Sequence, residues 1–273
     1  MVTILDGPIG SLLPSLGVAT PAPLWSAAAL ETAPEVVARI HRVYASTGAS
    51  VHTASTFRTK ERQVGPAWER LTRLAVEIAR ASVPEGHLVA GSLAPLEDCY
   101  RPDLSPPDPR PEHRAMARAL AAAGADLILC ETFPHAGEAL VAVEEAAATG
   151  LPVWVSFTAG PEGALLTPAE VAEGARAAME RGARAVLVNC IAAARTGAYV
   201  EELAKVAGEG VPFGAYANAG GPGDWDASDE EAVGRYLAFT RRWVSAGATL
   251  VGSCCGTGPA HVAALAAEFN AHS

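Results

Sequence analysis

Eight short runs rich in valine, isoleucine and leucine recur along the chain, each followed by a longer stretch rich in alanine, glutamate and arginine. No other feature of the sequence limits the fold as strongly. The apolar runs are Val2–Asp6, Ser50–Thr53, His87–Gly91, Asp126–Glu131, Val153–Phe157, Ala185–Asn189, Pro212–Tyr216 and Thr249–Gly252. They are nearly continuous rather than alternating, as in parallel strands buried on both faces. The stretches between them read as amphipathic helices over residues 34–47, 64–82, 111–124, 137–149, 168–181, 198–208, 229–246 and 258–270. Thr167-Pro168 and Gly258-Pro259 put proline at a first helical position, and Ser228 precedes an acidic first turn. "TGAS" at 47, "AGAD" at 123, "RGAR" at 181 and "AGAT" at 246 each end a helix on glycine just before the next strand.

Strand then helix, eight times in 273 residues, specifies an α/β chain folded as a single (β/α)8 TIM barrel over residues 1–273. A doubly wound open sheet is the competing architecture. It calls for fewer units and a glycine-rich fingerprint after the first strand, and no G-x-G-x-x-G occurs there. Two connections after strands stand out: Ser92–Pro111 carries six prolines, and Ala217–Asp229 carries three glycines and three aspartates. In a barrel both lie on the C-terminal rim, where active sites are built. The first reads as stiff and the second as a mobile cover.

A formal charge of −10 argues against broad contact with nucleic acid or an anionic membrane, leaving small molecules or proteins as partners. No run of about 18 apolar residues suggests a membrane span. "MVTILDGPIG" lacks the basic and apolar regions of a secretory signal and reads as a first buried strand. Five cysteines without an export signal fit a reducing cytoplasm, with thiols free or bound to metal. The expected state is a monomer or small homo-oligomer.

Three of those cysteines follow barrel strands. Cys190 follows the sixth run in "AVLVNC", and Cys254 and Cys255 follow the eighth in "VGSCCGTGP". Adjacent cysteines make a poor disulfide pair. In a regular strand they would face opposite sides. Gly252 and Gly256 are expected to release the backbone so that both sulfurs turn to one point. Converging thiolates need a cation, and zinc suits a soft tetrahedral sulfur set. Three ligands leave a fourth position open, as in catalytic zinc, and such a site is suited to hold a substrate thiol as thiolate. The alternative from spacing alone is three small hydrophobes in a core. That alternative fits Cys99 and Cys130, read as non-ligands.

"LDGPIG", "TASTFRT", "GSLAP", "ETFP", "VNC" and "GSCCGTGPAHVAAL" occur in this order after strands 1, 2, 3, 4, 6 and 8. Together they resemble the homocysteine S-methyltransferase family across essentially the whole chain, most specifically in the NC…CCG set. The resemblance implies zinc held by Cys190, Cys254 and Cys255, and a homocysteine thiolate attacking an activated methyl group to give methionine. It also implies that Asp6 and Glu131 hold the substrate ammonium, with the Gly7 amide and Asn218 completing the substrate site. By themselves the two acids also read as a turn cap and a local ion pair.

The chain departs from the family pattern at several points. Pro8 stands where glycine is usual, Ser253 replaces a glycine, "ANAG" replaces P-N-S-G, and "VNCIAAARTG" lacks a proline-rich continuation. For the methyl donor, the resemblance ranks S-methylmethionine first, S-adenosylmethionine second and betaine third. Phe57, Tyr100, Trp225, Asp224 and Asp226 could cradle a sulfonium. Arg58 opposes such a cation unless it pairs with an acid or grips the donor's carboxylate. His52 and His135 read as packing or surface residues. The competing functions are transfer to another thiol such as selenocysteine, a phosphate-dependent barrel enzyme using the "GSCCGTG" turn, and a non-catalytic zinc or thiol sensor.

Overall fold

Apolar runs that end in small or polar residues here become strands of one parallel sheet. The computed structural model of the protein describes residues 1–220 and 229–270. The strands are β1 (Thr3–Ile4), β2 (Val51–Thr53), β3 (Leu88–Leu93), β4 (Leu127–Phe133), β5 (Val153–Phe157), β6 (Ala183–Ala192), β7 (Phe213–Asn218) and β8 (Leu250–Ser253). All pair in parallel, in the order β1-β8-β7-β6-β5-β4-β3-β2. An isolated bridge between Leu5 and Val51 joins the two ends of that order and closes the ring. Flanking bonds from Ser50 N to Ile4 O at 2.9 Å and from Asp6 N to Val51 O at 3.0 Å complete the seam.

Outside the ring lie α1 (Pro34–Ser46), α2 (Trp68–Ser82), α3 (Arg110–Ala122), α4 (Ala136–Ala147), α5 (Pro168–Glu180), α6 (Ala193–Val206), α7 (Glu230–Ser245) and α8 (Pro259–Phe269). The α/β TIM-barrel architecture expected from the repeat is therefore present. Alternate strand residues feed two cores. Leu127 and Leu129 join Val51, Leu187 and Leu250 inside the barrel, while Ile128 and Cys130 pack outward under the helices. Burial on both faces is what makes the runs continuously apolar.

The boundaries differ where polarity enters. β3, β4, β6 and β7 run two or three residues past their apolar segments, through Ser92, Thr132, Cys190 and Asn218 among others. Register shifts between Cys130 and Phe133 and between Asn189 and Ala192 mark these ends. Helix α6 starts at Ala193, directly after β6, and α2 starts at Trp68 behind a short Glu61–Val64 turn. Short helices at Leu12–Ser15, Trp25–Ala28 and Ala29–Thr32 fill a connection that showed no periodicity. Thr167 and Glu170 form a reciprocal capping box on α5. Asp229 caps α7 by accepting from Glu231 N at 2.9 Å, whereas Ser228 lies outside the described residues. Gly214 in β7 admits β8 at close range, because a Cβ there would sit 1.7 Å from the Leu250 carbonyl oxygen.

Candidate active site

β6 and the turn after β8 bring the three thiols together at the C-terminal mouth. The sulfurs of Cys190, Cys254 and Cys255 all lie within 4.8 Å of one another. Cys190 and Cys254 are 3.0 Å apart, Cys254 and Cys255 4.0 Å, and all three are free. Cys190 reaches this point with a left-handed φ of 54°, and Thr132 on β4 has a φ of 64°. Such conformations in non-glycine residues cost energy and persist only when neighbours fix them. Asn189 does the fixing. Its Nδ2 donates to Thr132 Oγ1 at 2.7 Å and to Cys190 Sγ at 3.3 Å. Its Oδ1 accepts from Thr132 N at 3.1 Å and Ser156 Oγ at 2.7 Å.

The Cys254–Cys255 pair lies beyond the last strand residue, in a turn closed by Thr257, whose Oγ1 donates to Cys254 O at 2.6 Å. Gly256 supplies the expected left-handed turn, with φ 79°. Gly252 does not. It is needed for close approach, since a Cβ there would lie 2.7 Å from Leu5 Cβ.

Three thiols crowded this closely cannot all ionise without a cation. Cys255 is pushed down because it accepts hydrogen bonds from Cys190 and Cys254. Cys190 is held well above the thiol range by its hydrogen bonds to the other two sulfurs, then by burial. Cys254 feels a lowering bond from Cys190, which its bond to Cys255 and burial outweigh. The cluster's chemistry fits zinc: tetrahedral Zn–S bonds near 2.3 Å place sulfurs about 3.8 Å apart, within the spread seen here.

The same sulfurs line a cavity of about 380 Å³ shared with Asp6, Gly7 and Glu131. Asp6 is buried and accepts from Thr53 N at 2.9 Å. Burial raises its pKa well above the usual carboxyl range. Ring nitrogens of His41 and His52 lie within 4.8 Å of its carboxylate. Burial lowers those imidazoles to about 3 and about 4, so neither is a cation at neutral pH. Glu131 accepts from Ser92 Oγ and, at 2.9 Å, from the Tyr216 hydroxyl. Its pKa is also raised, mainly by burial. Neither carboxylate has a cationic partner among the described residues.

Gly7 is glycine for a steric reason, since a Cβ would meet the Tyr44 hydroxyl oxygen at 2.6 Å. Its amide donates to no acceptor among the described residues. Tyr44 itself donates to Pro8 O at 2.9 Å. Asn218 does not line the cavity; its Oδ1 is buried with no partner among the described residues.

Cys99 lines the cavity with a thiol raised by burial to about 11, apart from the sulfur cluster, and Cys130 lies in the outer core. His135 is exposed and caps α4, accepting from Glu138 N at 3.1 Å. His52 pairs with His87 at 3.0 Å. Phe57, Arg58 and Tyr100 line the mouth, whereas Asp224, Trp225 and Asp226 lie outside the described residues. The sequence singled out neither Asn189, Ser92 nor Tyr216, although the first stands inside "VNC" and the second inside "GSLAP".

The fold and site together define a parallel eight-stranded barrel whose mouth holds a three-thiol cluster beside two acids that have no cationic partner among the described residues. Comparison with known proteins narrows this. The sequence model of the family described as homocysteine S-methyltransferase matches residues 3–269. The chain belongs to that family, and it is an enzyme of the methyltransferase class. It is 30% identical to the homocysteine S-methyltransferase of Escherichia coli K12 over 300 residues, covering 98% of this chain and 95% of that one. Homocysteine S-methyltransferase 3 of Arabidopsis thaliana is 29% identical, with 96% and 88% coverage. The metallated crystal structure of the Escherichia coli homocysteine methyltransferase MmuM superposes with a TM-score of 0.78 at 27% identity, covering 98% and 96% of the two chains. No helix among the described residues is long and apolar enough to cross a membrane.

Proposed function

We propose that the protein transfers a methyl group from a small-molecule sulfonium to the thiol of homocysteine, with zinc held by Cys190, Cys254 and Cys255. One observation carries this reading: the three thiols share a cavity with two buried carboxylates that have no cationic partner among the described residues. When bound, zinc supplies a Lewis acid that keeps a substrate sulfur anionic near neutral pH. Asp6 and Glu131 pair with the substrate ammonium, which offsets the cost of burying their charges. The Gly7 amide, which has no acceptor among the described residues, donates to the substrate carboxylate in this reading. Asn189 holds Cys190 in its left-handed conformation and donates to its sulfur.

The carbon–sulfur bond of the donor breaks, its electron pair leaves with the neutral thioether, and a new bond forms to the homocysteine sulfur. The thiol proton goes to solvent. Such a displacement needs alignment and a strong nucleophile more than acid or base groups. S-methylmethionine is the favoured donor, ahead of S-adenosylmethionine and betaine, and the rings of Phe57 and Tyr100 offer faces to a sulfonium. Three free thiols suit a reducing cytoplasm.

The test is a donor screen with zinc-loaded protein and homocysteine, reading methionine. Methionine from S-methylmethionine faster than from the other two donors is expected. Formation from betaine alone overturns the donor, and no methionine from any of the three overturns homocysteine as acceptor.

A further inference from the structure

Arg58 is the only basic side chain among the described residues lining the cavity. Its guanidinium carbon lies 5.2 Å from the Phe57 ring centroid and 5.9 Å from that of Trp25. With the Gln63 amide in its hydrogen-bonding orientation, Gln63 Oε1 accepts from Arg58 Nη1 at 2.8 Å and its nitrogen donates to Arg58 O. These contacts fix the plane of the guanidinium while occupying one of its five N–H groups. No carboxylate pairs with it among the described residues, although eleven other arginines do make such pairs. Asp6 and Glu131 of the same cavity bond elsewhere.

Trp25 stands out as well. It is 47% exposed, lines the cavity, and holds a left-handed φ of 48°. A bulky residue in that conformation is strained, and such strain gathers at ligand clamps. Arg58, Phe57 and Trp25 thus form a stacked, half-open wall at the mouth, above the thiols and the two acids. A positive wall is a contradiction for an enzyme whose methyl donor is an onium cation, unless the donor also carries an anion at that end. A planar fork with free N–H edges is shaped for a carboxylate.

We infer that Arg58, braced by Trp25, Phe57 and Gln63, binds the carboxylate of a zwitterionic methyl donor, an amino-acid-type sulfonium. This deepens the proposed function and rests on its reading of the cavity. The homocysteine ammonium is assigned to Asp6 and Glu131, both almost fully buried, which leaves the half-buried mouth to the second substrate. Arg58 in this role selects donors by the distance between onium centre and carboxylate, and disfavours cations lacking one.

The experiment compares S-methylmethionine with its decarboxylated counterpart, (3-aminopropyl)dimethylsulfonium, on zinc-loaded wild-type protein and on R58Q and R58M. Binding is read by calorimetry in the presence of homocysteine, and turnover by methionine formed. Wild type should bind the zwitterion about ten- to a hundredfold more tightly than the decarboxylated cation, the value of a charged hydrogen-bonded pair. In both variants that ratio should fall to within about threefold, with the decarboxylated cation bound no worse than by wild type. The homocysteine dissociation constant should hold steady. A ratio unchanged in the variants overturns the inference. So does a weakened homocysteine affinity with donor affinity intact, which would give Arg58 to the acceptor's carboxylate instead. Because binding is measured apart from turnover, tight selective binding without methionine would sink the proposed reaction while leaving the carboxylate site standing.

Discussion

Asn189 donates to the sulfur of Cys190, its own neighbour in sequence, at 3.3 Å, while its other atoms tie down Thr132 and Ser156. One amide therefore sets the direction of a proposed ligand sulfur and links β4, β5 and β6 across the barrel mouth. Removing it should release both left-handed residues. Asn189→Ala is expected to weaken zinc binding about ten- to a hundredfold, the usual effect of losing a group that orients a metal ligand. Competition with a chromophoric chelator measures this, and an unchanged zinc affinity would show that Cys190 is oriented by its backbone alone.

Zinc itself should depend on each sulfur. Wild-type protein is expected to carry about one zinc per chain, and Cys190→Ala close to none, with methyl transfer lost. The far-UV circular dichroism should be unaltered, because Cys190 belongs to neither apolar core. Full zinc content in Cys190→Ala by elemental analysis would refute the ligand set.

Tyr216 steadies the charge on Glu131. Its hydrogen bond lowers the Glu131 pKa against the larger raising effect of burial. Tyr216→Phe removes the lowering contribution, so Glu131 stays protonated to higher pH. Only the carboxylate holds an ammonium, so the acid-side fall in kcat/KM for homocysteine should move to higher pH. At neutral pH the homocysteine KM should rise about tenfold, for a lost hydrogen bond to a charged group. An acid limb at the wild-type position would show that Glu131 does not hold the ammonium.

Asp6 should trade stability for binding. Burial raises its folded-state pKa, so its contribution is full below the ordinary carboxyl range and is lost as pH rises through the raised value. Asp6→Asn keeps an acceptor for Thr53 N and removes the buried charge. The substrate-free variant is expected to be more stable than wild type at pH 8 by of order 1 kcal/mol. That advantage should disappear at low pH. Homocysteine binding should weaken about ten- to a hundredfold. Thermal unfolding across pH, paired with titration of homocysteine, tests both halves.

The barrel wall has its own weak point at Gly214. A methyl group there would overlap the Leu250 carbonyl, which is backbone and cannot swing aside. Gly214→Ala is expected to cost more than about 3 kcal/mol and to yield little soluble protein. A folded variant within about 1 kcal/mol of wild type in urea would mean that β8 can shift freely.

Most of the fold was legible because burial on both faces leaves a continuous apolar trace. Val153–Phe157 was read with its true ends for that reason. The trace stops where the site begins. Thr132 after Glu131, Cys190 after Asn189 and Asn218 after Tyr216 extend their strands beyond the apolar trace, so hydrophobic periodicity closed those elements early. The convergence of Cys190, Cys254 and Cys255 could be read because strand order fixes which ends share a rim. The parts played by Asn189, Ser92 and Tyr216 could not, since each depends on a side-chain direction across neighbouring strands. Gly252 was assigned a backbone freedom it does not use, because one letter cannot distinguish a glycine needed for its torsion from one needed for its small size.

The seam between β1 and β2 is the thinnest part of the ring: one isolated bridge and its flanking bonds, reinforced by the Asp6 side chain reaching across to Thr53 N. The same carboxylate faces the cavity. A group that clamps the two ends of a circular wall while waiting for a guest makes occupancy and closure mechanically inseparable. Under the proposed assignment, an ammonium arriving at Asp6 stiffens the clasp, and its departure leaves the clasp on one neutralised or lonely charge. The amides of Thr53 and Asp6 should thus behave as a strain gauge for the chamber, exchanging hydrogen for deuterium more slowly when the acceptor is bound, while amides on the opposite wall, in β5, register nothing.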